Sequence, residues 1–223
     1  MKNKLMIFAA IVSGLIITQA VMSAYEVSRR DLKLASQQLL EKFSASAPAA
    51  SDSNVILLEN DGDDDGTGAT VSTFLAQPDF SRNVSIKSSG TTADIAAGAI
   101  VVTGTDQHGS TISETFPVTV NTALNGIGTK AFKTVTSVTF PAEDSPYGAK
   151  WSIGYRDVLG LHRCMDDTGQ HFHSTFGGTK EGTEATLTVD ATTISNNTID
   201  LNSALDGSND VEAFFMQNYR CSP

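Results

Sequence analysis

The chain is expected to be mainly β, an antiparallel β-sandwich body preceded by an apolar helix that continues into an amphipathic one. Three observations lead there. Threonine, serine, glycine and valine abound while charged residues make up only 18% of the 223, the balance of short strands joined by polar turns. From residue 54 onward apolar residues recur at every second position, the period of strands. Ahead of residue 44 they form one continuous run and then return at steps of three and four, the period of helices.

Residues 5–24, LMIFAAIVSGLIITQAVMSA, are uncharged and mostly apolar and follow Lys2 and Lys4. That length and flank suit a spanning helix or a secretory signal, with small residues near Ala20 and Ala24 for cleavage. Either reading brings residues 5–24 into contact with a membrane, and a helix packed between protein subunits explains the same residues without lipid. From Tyr25 to Phe43 the apolar Leu32, Ala35, Leu39, Leu40 and Phe43 share one side of a helical wheel, with Arg29, Arg30, Lys33 and Glu41 elsewhere. Residues 1–43 are thus expected to be helical. Residues 44–53, SASAPAASDS, combine small side chains with a helix-breaking proline and are expected to be a linker. The β body is then residues 54–223.

Within the body, Val84/Ile86, Ile100/Val102, Ile112/Phe116/Val118/Val120, Trp151/Ile153/Tyr155, Leu187/Val189, Ile199/Leu201 and Val211/Ala213/Phe215 each keep one parity. Turn signals separate them at Gly104–Gly109, Asn125-Gly126, Ser145-Pro146 and Asp206-Gly207, so neighbouring strands can pair antiparallel, as in a sandwich. From Phe132 to Phe140 the parity breaks at Val135, which calls for a bulge or for burial of both faces.

The net charge of −10 is unevenly placed, for residues 1–50 hold six Lys/Arg against three Asp/Glu and the remainder nine against twenty-two. The body alone is near −13. Such a surface repels a phosphate backbone, which excludes nucleic acid as its partner. Two cysteines, Cys164 and Cys221, allow one bridge or none and no disulfide framework.

Asp61-Gly-Asp-Asp-Asp-Gly66 opens like a calcium loop, but its twelfth position is Ser72 in place of a bidentate glutamate. A solvated acidic turn is the expectation. His162-x-Cys164 and His171-x-His173 would each share a strand face and could together present four ligands to a metal such as zinc. No two-cysteine knuckle supports them, so a polar hairpin without metal is expected. Glu114 falls at an inward parity between Ile112 and Phe116, as a buried carboxylate or at the sheet rim. No nucleophile elbow, no His-Glu-x-x-His helix and no glycine-rich phosphate loop occurs. The chain is therefore expected to be no enzyme, with no cofactor, no metal and no small-molecule substrate.

Several segments of the body carry a resemblance: Gln77–Ile86 (QPDFSRNVSI), Gly104–Gly109 (GTDQHG) running on to Phe116, Gly128–Val138 (GTKAFKTVTSV), Ile153-Gly154 with Leu159-Gly-Leu161, and Asn197–Gly207 (NTIDLNSALDG) with the stretch Val211–Tyr219. Together they resemble a β domain recurrent in structural proteins of tailed phages and prophages, over roughly residues 77–219. The resemblance implies a virion structural component, a capsid decoration or head-fibre-like protein located on the particle. Its partners would be other virion subunits, its own copies among them. The apolar N-terminus departs from the short polar lead expected of that group. Its layout also fits a pilin-like or other filament subunit of the bacterial cell envelope, although the glycine and glutamate processing signature is missing. A secreted binding module is a further alternative, weakened by the single tryptophan.

Overall fold

Leu39 opens the first strand in the computed structural model, which describes residues 39–61, 68–142 and 148–217. The expected helix over residues 1–38, with its apolar run, lies outside them. In chain order the strands are β1 (Leu39–Ala45), β2 (Asp52–Asn60), β3 (Thr70–Val71), β4 (Arg82–Gly90), β5 (Gly98–Thr105), β6 (Thr111–Val118), β7 (Asn125–Phe132) and β8 (Thr134–Thr139). They continue as β9 (Ala149–Gly160), β10 (His171–Phe176), β11 (Thr179–Lys180), β12 (Thr186–Thr188), β13 (Thr198–Asp200) and β14 (Val211–Gln217). The fold is mainly β and sandwich-like. No helix among the described residues is long and apolar enough to cross a membrane.

The strands form three sheets in the orders β3-β8-β5-β6, β12-β13-β9-β4-β7 with β2 also on β9, and β1-β14-β10-β11. Neighbours pair antiparallel. The hairpin β5–β6 keeps full register from Gly98↔Val118 to Thr105↔Thr111, and its turn closes at Gly109, whose φ of +85° favours a residue without a side chain. Twelve-residue β9 is the spine: β4 lies along one side, while β2 covers the first half of the other side and β13 the second. Gly154 is required there, since a Cβ would collide with the Asp52 carbonyl where β2 crosses.

Two apolar cores result. The larger joins the first two sheets through Val84, Ile86, Ile100, Val102, Phe116, Val138, Trp151 and Ile153, residues whose alternation had marked them as inward-facing. Trp151 is fully buried, its ring 6.2 Å from that of Phe140. The smaller gathers Phe43, Ala45, Leu159, Leu161, Ile199, Leu201, Val211, Ala213 and Phe215, so β9 serves both cores from its two ends. Val120 lies past the end of β6 and is exposed. Leu187 and Val189 are half-buried against the smaller core. The broken parity after Phe132 is a corner followed by a bulge: β5 pairs Thr103 with Ser137 but Gly104 with Val135, skipping Thr136. Val135 and Val138 thereby reach the same core.

The structure departs from the sequence reading in three places. Residues 39–43, assigned above to the amphipathic helix, are strand, with Phe43 and Ala45 buried and Leu40, Lys42 and Ser44 exposed. Pairing within a sheet overrides a helical period carried by so few apolar positions. Residues 44–53, expected as a linker, are held to the body, for Ala47 N donates to Asp210 Oδ1 at 2.9 Å and Ala49 N to Asp79 Oδ2 at 2.7 Å. The small side chains let the backbone itself come close enough to bond. Asn125-Gly126, expected as a turn, begins β7. The turn at Asp206-Gly207 is present with Gly207 at φ +74°, and Ser145-Pro146 lies outside the described residues.

Edges are closed by side chains. Glu114 on β6 accepts hydrogen bonds from Thr129 N at 2.6 Å and Thr129 Oγ1 at 3.0 Å on β7, and Lys130 Nζ returns one to Ser113 O at 2.8 Å. The half-buried carboxylate thus ties the rim of the first sheet to the second.

Candidate functional site

The four candidate metal ligands are not brought together. Residues 161–170 form a loop ending in a short 3₁₀ turn, Thr168–Gln170, so His162 and Cys164 share no strand face. Cys164 is buried and disulfide-bonded, while Cys221 lies outside the described residues. On β10 the register slips between His171 and His173. His171 lies 5.3 Å from the Phe215 ring and His173 stacks at 4.8 Å on Phe214. Adjacent residues of β14 face opposite ways, hence so do the two imidazoles. Among the described residues no group of His, Cys, Asp and Glu is placed to hold a metal ion.

The same bulge creates a contact that the spacing did not suggest. His171 Nε2 is 2.9 Å from Ser174 Oγ, and its Nδ1 is 3.8 Å from Glu184 Oε2. Positions three apart on a regular strand face opposite ways; only the irregularity lets them meet. The order is that of a nucleophile, base and acid, but the geometry is not. Ser174 is 2% exposed, and Glu184 is beyond hydrogen-bond reach. Burial holds His171 below the ordinary imidazole value, with Glu184 partly offsetting it. This is packing chemistry.

Of the acidic loop, Asp61 is described and pairs with Lys150 at 3.0 Å, a contact that raises the Lys150 pKa. Its other carboxylates lie outside the described residues. Two acid-centred braces stand elsewhere. Asp190 accepts from Thr192 N, Thr193 N and Asn196 Nδ2, bonds that hold its pKa far below the carboxylate range. Fully buried Asn197 accepts from Met165 N and Asp190 N and donates to Asp190 O and Thr193 O, locking that loop beside Cys164.

A fully buried arginine lies between the first core and the pinned 44–53 segment. Arg82 stacks 4.2 Å over the Tyr155 ring, donates to Arg156 O, Ala49 O and Asp79 Oδ1 at 2.9 Å each, and sets Nη2 3.7 Å from Asp157 Oδ1. Burial raises the Asp79 pKa, but the bonds from Ala49 and Arg82 outweigh it and the net shift is downward. The guanidinium itself is fully buried, while the Asp79 and Asp157 carboxylates reach partly to solvent.

An opening lies nearby. A cleft of about 430 Å³ is lined by Lys42, Phe43 and Ser44 of β1, Phe80 and Ser81 ahead of β4, Gln107 at the β5–β6 tip, Lys133 at the β7–β8 corner, and Gly160 and His162 at the end of β9. Five chain segments meet in it. The corner is fixed by Lys133 N donating to Thr105 O at 2.7 Å, and the hairpin tip by Asp106 Oδ1 accepting from His108 N and Ser110 N at 2.9 Å. His162 is set by its stack on Phe43, at 5.9 Å, and by Glu41 Oε1 at 2.6 Å, an oxygen that also receives Arg163 Nε. Lys42 Nζ donates to Glu212 Oε1 at 2.8 Å. The Lys133 ammonium makes no hydrogen bond or ion pair among the described residues. The walls can hold a molecule, but they present no nucleophile with a free base beside it.

No family model, no curated protein and no solved structure matches the chain.

Proposed function

We propose that this chain is a non-catalytic structural component of a virus particle, decoration or head-fibre-like, and that its partners are other subunits of that particle, its own copies included. The observation that carries the reading is how the N-terminal sequence enters the body. β1 follows residues 1–38 directly, and two of its side chains, Phe43 and Ala45, are buried in the smaller core. The N-terminal stretch is therefore joined in sequence to a strand that is itself part of the β body. An acidic body of many short strands, with its polar groups spent on bracing, suits an exposed module. The particle as the setting is taken from the sequence resemblance of residues 77–219 to phage structural domains alone.

Mass spectrometry of particles purified from the source culture tests this. Peptides from the chain should be recovered in many copies alongside a major capsid protein. Co-purification with a filament protein instead would move the assignment to a cell-envelope filament subunit. Recovery only as a free monomer, with residues 1–24 missing by intact mass, would replace it with a secreted module.

A further inference from the structure

We infer that the cleft between β1, the β5–β6 tip and the β7–β8 corner is a binding site for a carboxylate-bearing saccharide. Two lysines, Lys42 and Lys133, line it, on a body where acids outnumber bases twenty-two to nine. Cations gathered in the concave part of an acidic surface form a local anion trap, because the walls limit screening by water and focus the field. Lys42 and His162 are each partnered by a glutamate, which leaves the Lys133 ammonium as the group to meet an incoming carboxylate.

The rest of the lining fits a sugar better than a bare ion. The cavity, about 430 Å³, is within the range of roughly 300–1,000 Å³ usual for small-molecule sites, which combine apolar walls with a few polar groups. Phe80 supplies a half-buried ring for a C–H face, and Gln107 supplies both a donor and an acceptor for hydroxyls. The walls are also preorganised. Lys133 and Gln107 sit on backbone fixed by Thr105 and Asp106, so binding has to order their side chains but not the loops that carry them. The ligand is held and released unchanged. This inference concerns the cleft alone, and it stands or falls independently of the assembly to which the chain belongs.

The test is ligand-observed NMR with the full-length chain in a polyoxyethylene detergent, using glucuronate, glucose and inorganic phosphate as probes. Glucuronate should bind on the order of tenfold more tightly than glucose, as expected for one added charge contact in a partly enclosed site. Lys133→Glu should abolish that preference, Gln107→Ala should weaken both sugars, and Lys180→Glu, on the exposed strand β11, should leave binding unchanged. Unfolding midpoints of the variants, matched to the parent, show that the loss is local. Equal binding of glucose and glucuronate, or binding indifferent to Lys133→Glu, would overturn the inference. Phosphate binding as well as glucuronate would reduce the cleft to a simple anion site and overturn the saccharide assignment.

Discussion

The two cores are built in opposite ways. The larger draws on residues 56–155, a stretch in which β5 and β6 pair as near neighbours in sequence while β4 and β9 pair across a longer loop, and its buried members are aliphatic and aromatic side chains. The smaller joins β1 at the start of the body to β14 at its end, with residues 159–205 between, so its contacts close long loops. Polar groups brace both regions, Arg82 beside the larger core and Asn197 beside the smaller, where it locks one loop. Burial of apolar surface drives the first region. The second buries apolar surface too, with Asn197 fixing the loop that closes over it, and β1, the first described strand, belongs to it.

Substitutions should separate the two. The largest effect is expected from Trp151→Ala, which empties the centre of the larger core and should destabilise the body by about 3–5 kcal/mol in urea unfolding. Arg82→Ala should follow at about 3 kcal/mol, because it leaves the Asp79 carboxylate and two carbonyls without the donor they were built around. Measured at separate probes, this loss should appear in both regions. Asn197→Ala should cost roughly 2 kcal/mol through its four lost bonds, and it should loosen the smaller core while tryptophan fluorescence from Trp151 stays native.

Acid should act through identified groups. Asp79 has a lowered pKa in the fold, so the stability it contributes is present above the unfolded carboxylate value and is lost as pH falls below about 4. Asp79→Asn should flatten that part of the curve. His171 is also lowered, chiefly by burial. The unfolded chain then takes up a proton first, and stability should decline slightly as pH falls from about 6.5 toward the folded value. His171→Asn should remove that slope, the smallest effect of the set.

The larger core was legible in sequence because alternation alone specifies it: Val84/Ile86, Ile100/Val102 and Trp151/Ile153/Tyr155 all point inward as their parity requires. The smaller core was legible only in part. Val211, Ala213 and Phe215 showed their pattern, but Phe43 and Ala45 were obscured by a helical period upstream and a run of small residues downstream, and neither signal encodes a strand pairing formed with the far end of the chain. The cleft gave no signal at all. Lys42, Gln107, Lys133 and His162 belong to four segments whose meeting is set by topology, and each alone reads as an ordinary polar surface residue. The facing implied by the His171/His173 spacing was reversed by one bulge on β10, and His162 and Cys164 lie in a loop where strand spacing does not apply.

Hydrogen exchange read by mass spectrometry on the full-length chain tests the contrast between the cores most directly. Amides of β4 and β9 around Val84–Ile86 and Trp151–Tyr155 should exchange only through global unfolding, while those of β10 and β14 should exchange through a separate opening of lower free energy. Asn197→Ala should speed the second set and leave the first unchanged. Exchange of both sets in one event, with the same response to Asn197→Ala, would show a single cooperative unit and contradict the division drawn here.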